Sequence, residues 1–361
     1  MPTGSRLCQG NRGPLTRAAS GSVLVDVNRF ADRRVTIADV ALHAGVSKTT
    51  VSHVLSGRRP VAAPTRERVK ISIHELGFRP DGLARSLRTR RSHLVALLIP
   101  DITNPFYPTL SRGLEAGIGA GYHVVMCNTD SRPTEELEFV EEMCDRRVDG
   151  LVLDSFAVGV EQLRDVTGPD MPVVWIGAEA TDHPGIDIVR PDDEQGAYDA
   201  TMHLVERHRT LIAMIEGIPG SGEPRNQGYR RALDVAGLRT DGSMIRHGRW
   251  TREGGAGAMR ALLDDAEPPD GVFCANDLMA IGALDVLRER RLRVPDDVAL
   301  VGFDDIEAAA LVSPPLTSVV NPAFETGRAA GGLLMERMTG AYAGPQRAVT
   351  LPCRLVVRAS A

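Results

Sequence analysis

The stretch Val35-Thr36-Ile37-Ala38-Asp39-Val40-Ala41-Leu42-His43-Ala44-Gly45-Val46-Ser47-Lys48-Thr49-Thr50-Val51-Ser52-His53-Val54-Leu55-Ser56 decides how the amino-terminal part folds. It reads as two short helices around a tight turn. Thr36 can cap the first helix, and Asp39 in its opening turn suits the helix dipole. Ile37, Val40 and Ala41 fall at i, i+3 and i+4 and make one apolar face. Gly45 supplies the backbone freedom the corner needs. Ser47 caps the second helix, whose buried side is Val51, Val54 and Leu55. Lys48, Thr49, Ser52 and His53 are left outside, within reach of phosphates or base edges. This is the layout of a helix-turn-helix whose second helix enters the DNA major groove.

Downstream, Gly57-Arg58-Arg59-Pro60 is a basic loop, and Pro64 opens a third helix. Val69, Ile73 and Leu76 form its apolar stripe, Gly77 ends it, and Phe78 plugs the small core. Residues 80–88 then combine Pro80 at a helix start with Leu83 and Leu87 at i, i+4 and with Arg85 and Arg88 beside them. Such a segment is too short and polar to stand alone, so it is expected to be coil off DNA and helix on DNA, where a leucine can wedge into the minor groove. A plain basic linker is the alternative. Charge supports a polyanion partner for this end only. Residues 1–92 hold 17 Lys and Arg against 6 Asp and Glu, whereas the remainder holds 25 against 41. Residues 1–34, rich in Arg, Gly and Ser with no signal-peptide core, read as a disordered extension; weak DNA binding and an upstream start codon are both open for it.

From His93 the texture becomes alternating strands and helices. Strands are predicted at 94–99, 122–127, 150–153, 172–176, 211–215, 271–274, 298–302, 318–320 and 350–357. Helices are predicted at 106–120, 134–147, 192–207, 228–236, 254–264, 277–290 and 326–338. The alternation means parallel sheets covered by helices. About ten strands exceed what one sheet comfortably holds, so two lobes with a cleft are expected. Composition is ordinary for a soluble globular protein of 361 residues, at 43% hydrophobic and 25% charged. The five cysteines (Cys8, Cys127, Cys144, Cys274, Cys353) are scattered, with no Cys-x-x-Cys pair, which suggests reduced thiols and a cytoplasmic setting. No apolar run approaches a membrane span.

Taken together, these stretches resemble the LacI-type (lactose-repressor) family of bacterial transcription regulators over about residues 35–358. The marks are Val35–Ala41, Ala44-Gly45-Val46-Ser47, Thr50-Val51-Ser52, Thr65-Arg66-Glu67-Arg68-Val69, Leu76-Gly77-Phe78-Arg79-Pro80 and Ala84-Arg85-Ser86-Leu87. Further on come Asp101-Ile102-Thr103-Asn104-Pro105-Phe106, Asp149-Gly150-Leu151, Asn276-Asp277-Leu278-Met279-Ala280, Val301-Gly302-Phe303-Asp304-Asp305 and Pro315-Leu316-Thr317. The resemblance implies a multidomain chain: an all-α helix-turn-helix DNA-binding head at 35–79, a hinge helix or linker at 80–92, and an α/β two-lobed, periplasmic-binding-protein-like effector and dimerisation domain at 93–358. The lobes would be crossed near 190, 321 and 349. It further implies a homodimer on a pseudo-palindromic operator, in the bacterial cytoplasm at the nucleoid. Lys48, Thr49 and His53 would read bases, Ser47, Thr50 and Ser52 would lie nearer phosphates, and Leu87 flanked by Arg88 would enter the minor groove. Thr36, Arg58 and Arg85 complete the DNA-facing set.

In the body, Phe106 and Tyr107 sit where the family places aromatic cleft residues, although either could be core. Trp250, in the loop Gly248-Arg249-Trp250-Thr251, suits stacking on a sugar's C–H face. Arg225 opens a helix, and its guanidinium fork could hold hydroxyls or a carboxylate, with a surface ion pair as the alternative. Asn276, Asp277 and Asp304 follow strand ends, where open α/β sheets bind ligands; helix capping is the rival role for Asp277. Ser221 is a further candidate. The acceptor-rich set favours a neutral polyol or sugar, and Arg225 leaves an acidic sugar or purine open. No nucleophile–base pair, phosphate loop or metal-ligand spacing accompanies the carboxylates, so neither catalysis, a metal nor a cofactor is expected. Activator or corepressor-dependent action, and a solute-binding protein with an incidental helical head, are the competing functions. Two departures from the family stand out: His208 replaces the glycine that usually follows the helix ending near Arg207, and the extra carboxy-terminal helix that tetramerises the lactose repressor is lacking.

Overall fold

The computed structural model describes residues 35–57, 59–79, 91–130, 132–154, 158–177, 183, 185–219, 222–239 and 242–361. The extension at 1–34, Cys8, Arg58, the hinge segment with Leu83, Arg85, Leu87 and Arg88, and Ser221 lie outside them. The chain divides into two units, before and after Arg85.

In the first unit, α1 (Ile37–Ala44), α2 (Lys48–Ser56) and α3 (Ala63–Glu75) enclose one small core. The Asp39 carboxylate accepts from the Thr36 N–H at 2.8 Å and from its hydroxyl at 2.7 Å, which closes the start of α1. Gly45 turns the corner at φ +63°, and the Val46 N–H returns to the Ala41 carbonyl at 2.9 Å. The Ser47 hydroxyl accepts from the Thr50 N–H at 3.1 Å and starts α2. Val40, Ala41, Ala44, Val51, Val69, Leu76 and Phe78 fill the core, with Val54 and Leu55 half-buried beside them.

The second unit carries two six-stranded sheets. The first holds β1 (Leu94–Ile99), β2 (His123–Asn128), β3 (Gly150–Asp154), β4 (Val173–Ile176), β5 (Ile186–Pro191) and β11 (Ala348–Leu351), in the order β11-β5-β4-β3-β1-β2. The second holds β6 (Ile212–Glu216), β7 (Ile245–His247), β8 (Gly271–Cys274), β9 (Ala299–Asp304), β10 (Thr317–Val320) and β12 (Arg354–Val356), in the order β12-β10-β9-β8-β6-β7. All pairings are parallel except β10 with β12. Runs such as Leu94–Ile99 and Val272–Cys274 are buried on both faces because helices cover both sides.

Those helices are α4 (Phe106–Ile118), α5 (Pro133–Asp145), α6 (Val160–Thr167), α7 (Asp193–Glu206), α8 (Glu223–Ala236), α9 (Arg252–Leu263), α10 (Asp277–Glu289), α11 (Glu307–Leu311) and α12 (Ala323–Thr339). α4 and α12 pack at a distance only glycine permits: a Cβ on Gly113 would stand 2.0 Å from the Phe324 carbonyl oxygen. The chain passes between sheets after Pro191, after Val320, and between Leu351 and Arg354. The third passage splits what reads in sequence as one strand at 350–357. Strands β5 and β7 and helices α6 and α11 were not predicted from sequence.

Candidate effector cleft and DNA-facing helix

Both sheets repeat one strand order, 2-1-3-4-5 and 7-6-8-9-10, so each reverses direction beside its first strand. In such sheets the crevice lies outside the carboxyl ends at that reversal. The carboxyl end of β3 and the segments after β1, β6 and β8 meet there around a cavity of about 550 Å³.

From the first lobe, Asp101, Asn104, Phe106, Tyr107 and Asp154 line it. Asn104 accepts from the Phe106 N–H at 3.0 Å and sets the start of α4. The Phe106 and Tyr107 rings meet edge-on with centroids 5.2 Å apart. They are 8% and 6% exposed, so each serves as core and as wall. Tyr107 bonds the Asp154 carboxyl, whose pKa burial pushes up to about 7. Burial, with the charges of Asp154 and Asp304, raises the Tyr107 phenol as well.

From the second lobe, Arg225 projects from the first turn of α8. Its Nε donates to Asp193 at 3.2 Å, its Nη2 stands 3.7 Å from Asp304, and its Nη1 bonds the Ala275 carbonyl. The guanidinium lies 3.9 Å above the Phe303 ring centre and 5.6 Å from that of Trp250. Burial raises the Asp193 carboxyl against the opposing pull of Arg225. Burial likewise moves Asp304 up to about 6, opposed by Arg225 and by hydrogen bonds from Asn321 and Asn104.

Trp250 and its neighbour Arg249 hold φ of +64° and +53°. The indole fits only because Gly217 has no side chain: a Cβ there would lie 1.9 Å from Cε2. Asn276 ties this loop down. Its Nδ2 donates to the Trp250 carbonyl at 3.0 Å, and its Oδ1 caps α10 by accepting from the Met279 N–H at 2.9 Å.

The structure therefore brings Phe106, Tyr107, Arg225, Trp250, Asn276 and Asp304 to one wall-lined space. It does not bring Asp277 there. Asp277 is fully buried, accepting from the Ser318 hydroxyl at 2.6 Å and the Ile306 N–H at 2.9 Å, so it clamps β10 and the β9–α11 turn instead. Burial, then the Asp304 charge, raises its pKa. The effector assignment of Asp277 is corrected accordingly. Several polar wall residues escaped sequence reasoning, among them Asn104, Asp154, Asp193 and Asn321. Their signal was present in part, since Asp154, Asp193 and Asn321 each lie at or just past the carboxyl end of a strand. Arg225 is also not the free anion-binding fork that its position suggested, because two carboxylates already hold it.

On α2, Ser47, Lys48 and Thr49 are exposed and Thr50, Ser52 and His53 are half-buried. The Ser47 and Thr50 hydroxyls bond each other at 2.9 Å. The Thr36 hydroxyl is engaged with Asp39.

A family model described as bacterial regulatory proteins, lacI family, matches residues 36–81, and one described as a periplasmic binding protein-like domain matches residues 201–361. Catabolite control protein A of Priestia megaterium is 36% identical over 309 residues, covering 84% of this chain and 92% of that protein. The chain belongs to the LacI family. Among solved relatives, the transcriptional regulator CelR–cellobiose complex is 35% identical, with a TM-score of 0.69 over 91% of this chain and 100% of that one. The lac repressor dimer bound to operator and the anti-inducer ONPF is 26% identical, with a TM-score of 0.81 over 91% and 99%. As a LacI-family member the chain is a DNA-binding transcriptional regulator. Among the described residues, no helix is long and apolar enough to cross a membrane, and no cluster of three or more His, Cys, Asp or Glu could hold a metal ion.

Proposed function

We propose that the chain is a repressor whose affinity for a pseudo-palindromic operator is set by a neutral carbohydrate bound in the inter-lobe cleft. The carrying observation is the charge balance of the cleft. Among the described residues its lining includes Asp101, Asp130, Asp154, Asp193, Glu223 and Asp304 against only Arg225 and Arg249, and Arg225 is already paired with Asp193 and Asp304. A phosphorylated sugar or other anion would meet uncompensated carboxylates. A polyol meets hydroxyl acceptors, with the buried Asn321 Oδ1 among them, which has no partner among the described residues. Trp250 and Phe106 offer faces for the sugar's C–H surface. The volume suits a small ligand. The relative that carries cellobiose supports the same reading.

In this reading Lys48, Thr49 and His53 contact base edges, Ser47, Thr50 and Ser52 contact phosphates, and the protein works in the bacterial cytoplasm at the nucleoid without catalysing a reaction. Closing the cleft changes the angle between lobes and thereby the geometry of the chain leading to the paired heads. The test is thermal unfolding of the full chain with a panel of neutral mono- and disaccharides, their phosphorylated forms and purines. At least one neutral sugar raises the unfolding temperature, in proportion to RT ln(1 + [L]/Kd). Stabilisation by the anionic or purine compounds alone overturns the assignment.

A further inference from the structure

Carboxyls from opposite lobes face one another across the cleft. Asp154 ends β3 in the first lobe, is 7% exposed, and takes a hydrogen bond from the Tyr107 phenol on α4. Asp193, in the first turn of α7, and Asp304, at the end of β9, stand on the second lobe and line the same cavity. Arg225 of α8 pairs with Asp193 at 3.2 Å and stands 3.7 Å from Asp304. Among the described residues Asp154 has no ion-pair partner of its own. Behind it Glu136 of α5, itself buried, adds a further negative charge. Asp101 and Asp130 on the first-lobe wall are engaged locally, with the Thr103 hydroxyl at 2.7 Å and with Arg132 at 3.0 Å. Glu223 and Arg249 add one charge of each sign to the second-lobe wall. Asp154, Glu136, Asp193 and Asp304 thus share a water-poor space with Arg225, and like carboxyls so placed do not all stay ionised. Asp154, which lacks a cation, is where a proton settles. Burial first, and then the Asp193 charge, push its carboxyl up to about 7 against the pull of the Tyr107 bond.

We propose that closing the cleft on an effector is coupled to proton uptake at the Asp154–Tyr107 pair, so that this regulator responds to pH as well as to its effector. The proposal rests on the reading of the cleft as the site of a neutral carbohydrate. With the lobes apart, water screens Asp154 from Asp193 and Asp304, and the carboxyl gives up its proton more readily. With the lobes together on an uncharged molecule, that water is displaced and the proton stays. A bound state that holds a proton longer than the free state loses affinity as pH rises, by up to about tenfold per pH unit for one proton. The protonated carboxyl accepts from the Tyr107 phenol on one oxygen and offers its own O–H to an acceptor on the sugar.

The test titrates the full-length chain with ribose, glucose and cellobiose by calorimetry from about pH 6 to about pH 8. For a sugar that binds, wild-type affinity falls as pH rises, and the heats in phosphate and in Tris buffer differ by the uptake of a fraction of one proton. Asp154→Asn, neutral throughout, flattens the profile. Tyr107→Phe removes a bond that favours the ionised carboxyl, so the fall moves to higher pH; lost packing alone would lower affinity without moving the profile. Infrared spectra of the unliganded chain need no sugar. They show a carboxyl that keeps its proton above about pH 5, beyond the range of an ordinary aspartate, and that Asp154→Asn lacks. Wild-type affinity that is flat with pH overturns the proposal even if Asp154→Asn fails to fold, and so does a wild-type infrared titration confined to the ordinary aspartate range. Binding of glucose 6-phosphate in place of every neutral sugar overturns the carbohydrate reading itself, a separate result.

Discussion

Arg225 shows how a residue can line a site without being free to serve it. Its charge is balanced by Asp193 and Asp304, and its guanidinium lies against the Phe303 ring with Trp250 nearby. Arg225→Ala leaves two buried carboxylates without their cation and is expected to cost about 3 kcal/mol of stability at pH 7.5. The loss shrinks as pH falls, because burial raises both carboxyls and places that of Asp304 at about 6; thermal unfolding at pH 7.5 and at pH 5 measures both. Asp154 and Asp304 make a related prediction. Burial places their pKa values at about 7 and about 6, above the roughly 3.9 of an unfolded aspartate. A raised carboxyl holds its proton longer in the folded state, so the stability it adds is complete below about pH 4 and is lost as pH climbs through 6 to 7. The unfolding temperature of the unliganded chain should fall over that range, and Asp154→Asn should flatten the fall. Sequence located Phe106, Arg225, Trp250, Asn276 and Asp304 because aromatic, guanidinium and acceptor groups at strand ends have recognisable chemistry. It misplaced Asp277 because a buried hydrogen-bonded carboxylate and a ligand-facing one are the same letter next to the same strand end.

At the scale of elements, the helices of the head were legible residue by residue, since Thr36, Asp39, Gly45 and Ser47 each have one local job and do it. Ser47→Ala removes the bond to the Thr50 N–H and is expected to cost the head about 1 kcal/mol, read as a lower unfolding midpoint with a matching loss of specific DNA binding. Strand β5 was illegible for a physical reason. Its sequence Ile186-Asp187-Ile188-Val189-Arg190-Pro191 places an aspartate where an apolar run should be. That aspartate is fully buried, because Arg337 and Arg347 each donate two side-chain bonds to it. Those arginines lie some 150 residues away, beyond the reach of any local pattern. The turn after α7 carries the opposite lesson. His208 stands at φ +62° in the place that favours glycine. His208→Gly is therefore expected to stabilise the body by about 0.5–1 kcal/mol, seen as a higher unfolding temperature with the ligand response intact.

At the scale of the whole molecule, alternating strands and helices predicted two lobes, and the number of strands predicted that one sheet was not enough. Which strands exchange between sheets was less visible: β11 and β12 are separated by only Pro352 and Cys353 yet belong to different lobes. The three passages between lobes let one cleft be walled by residues from Asp101 to Asn321. Control of DNA binding by a ligand needs that arrangement, because only a ligand touching both lobes has different affinities for their different angles. Trp250→Ala should weaken the ligand's grip by about tenfold or more while leaving unliganded DNA affinity unchanged. The most direct measurement is anisotropy of the full-length chain on a duplex from the region upstream of its own gene, titrated with neutral and then phosphorylated sugars. The account predicts salt-sensitive specific binding that a neutral carbohydrate shifts by about tenfold or more, a shift lost in Trp250→Ala. Specific binding that no neutral carbohydrate moves, but that an anionic compound does, would contradict it.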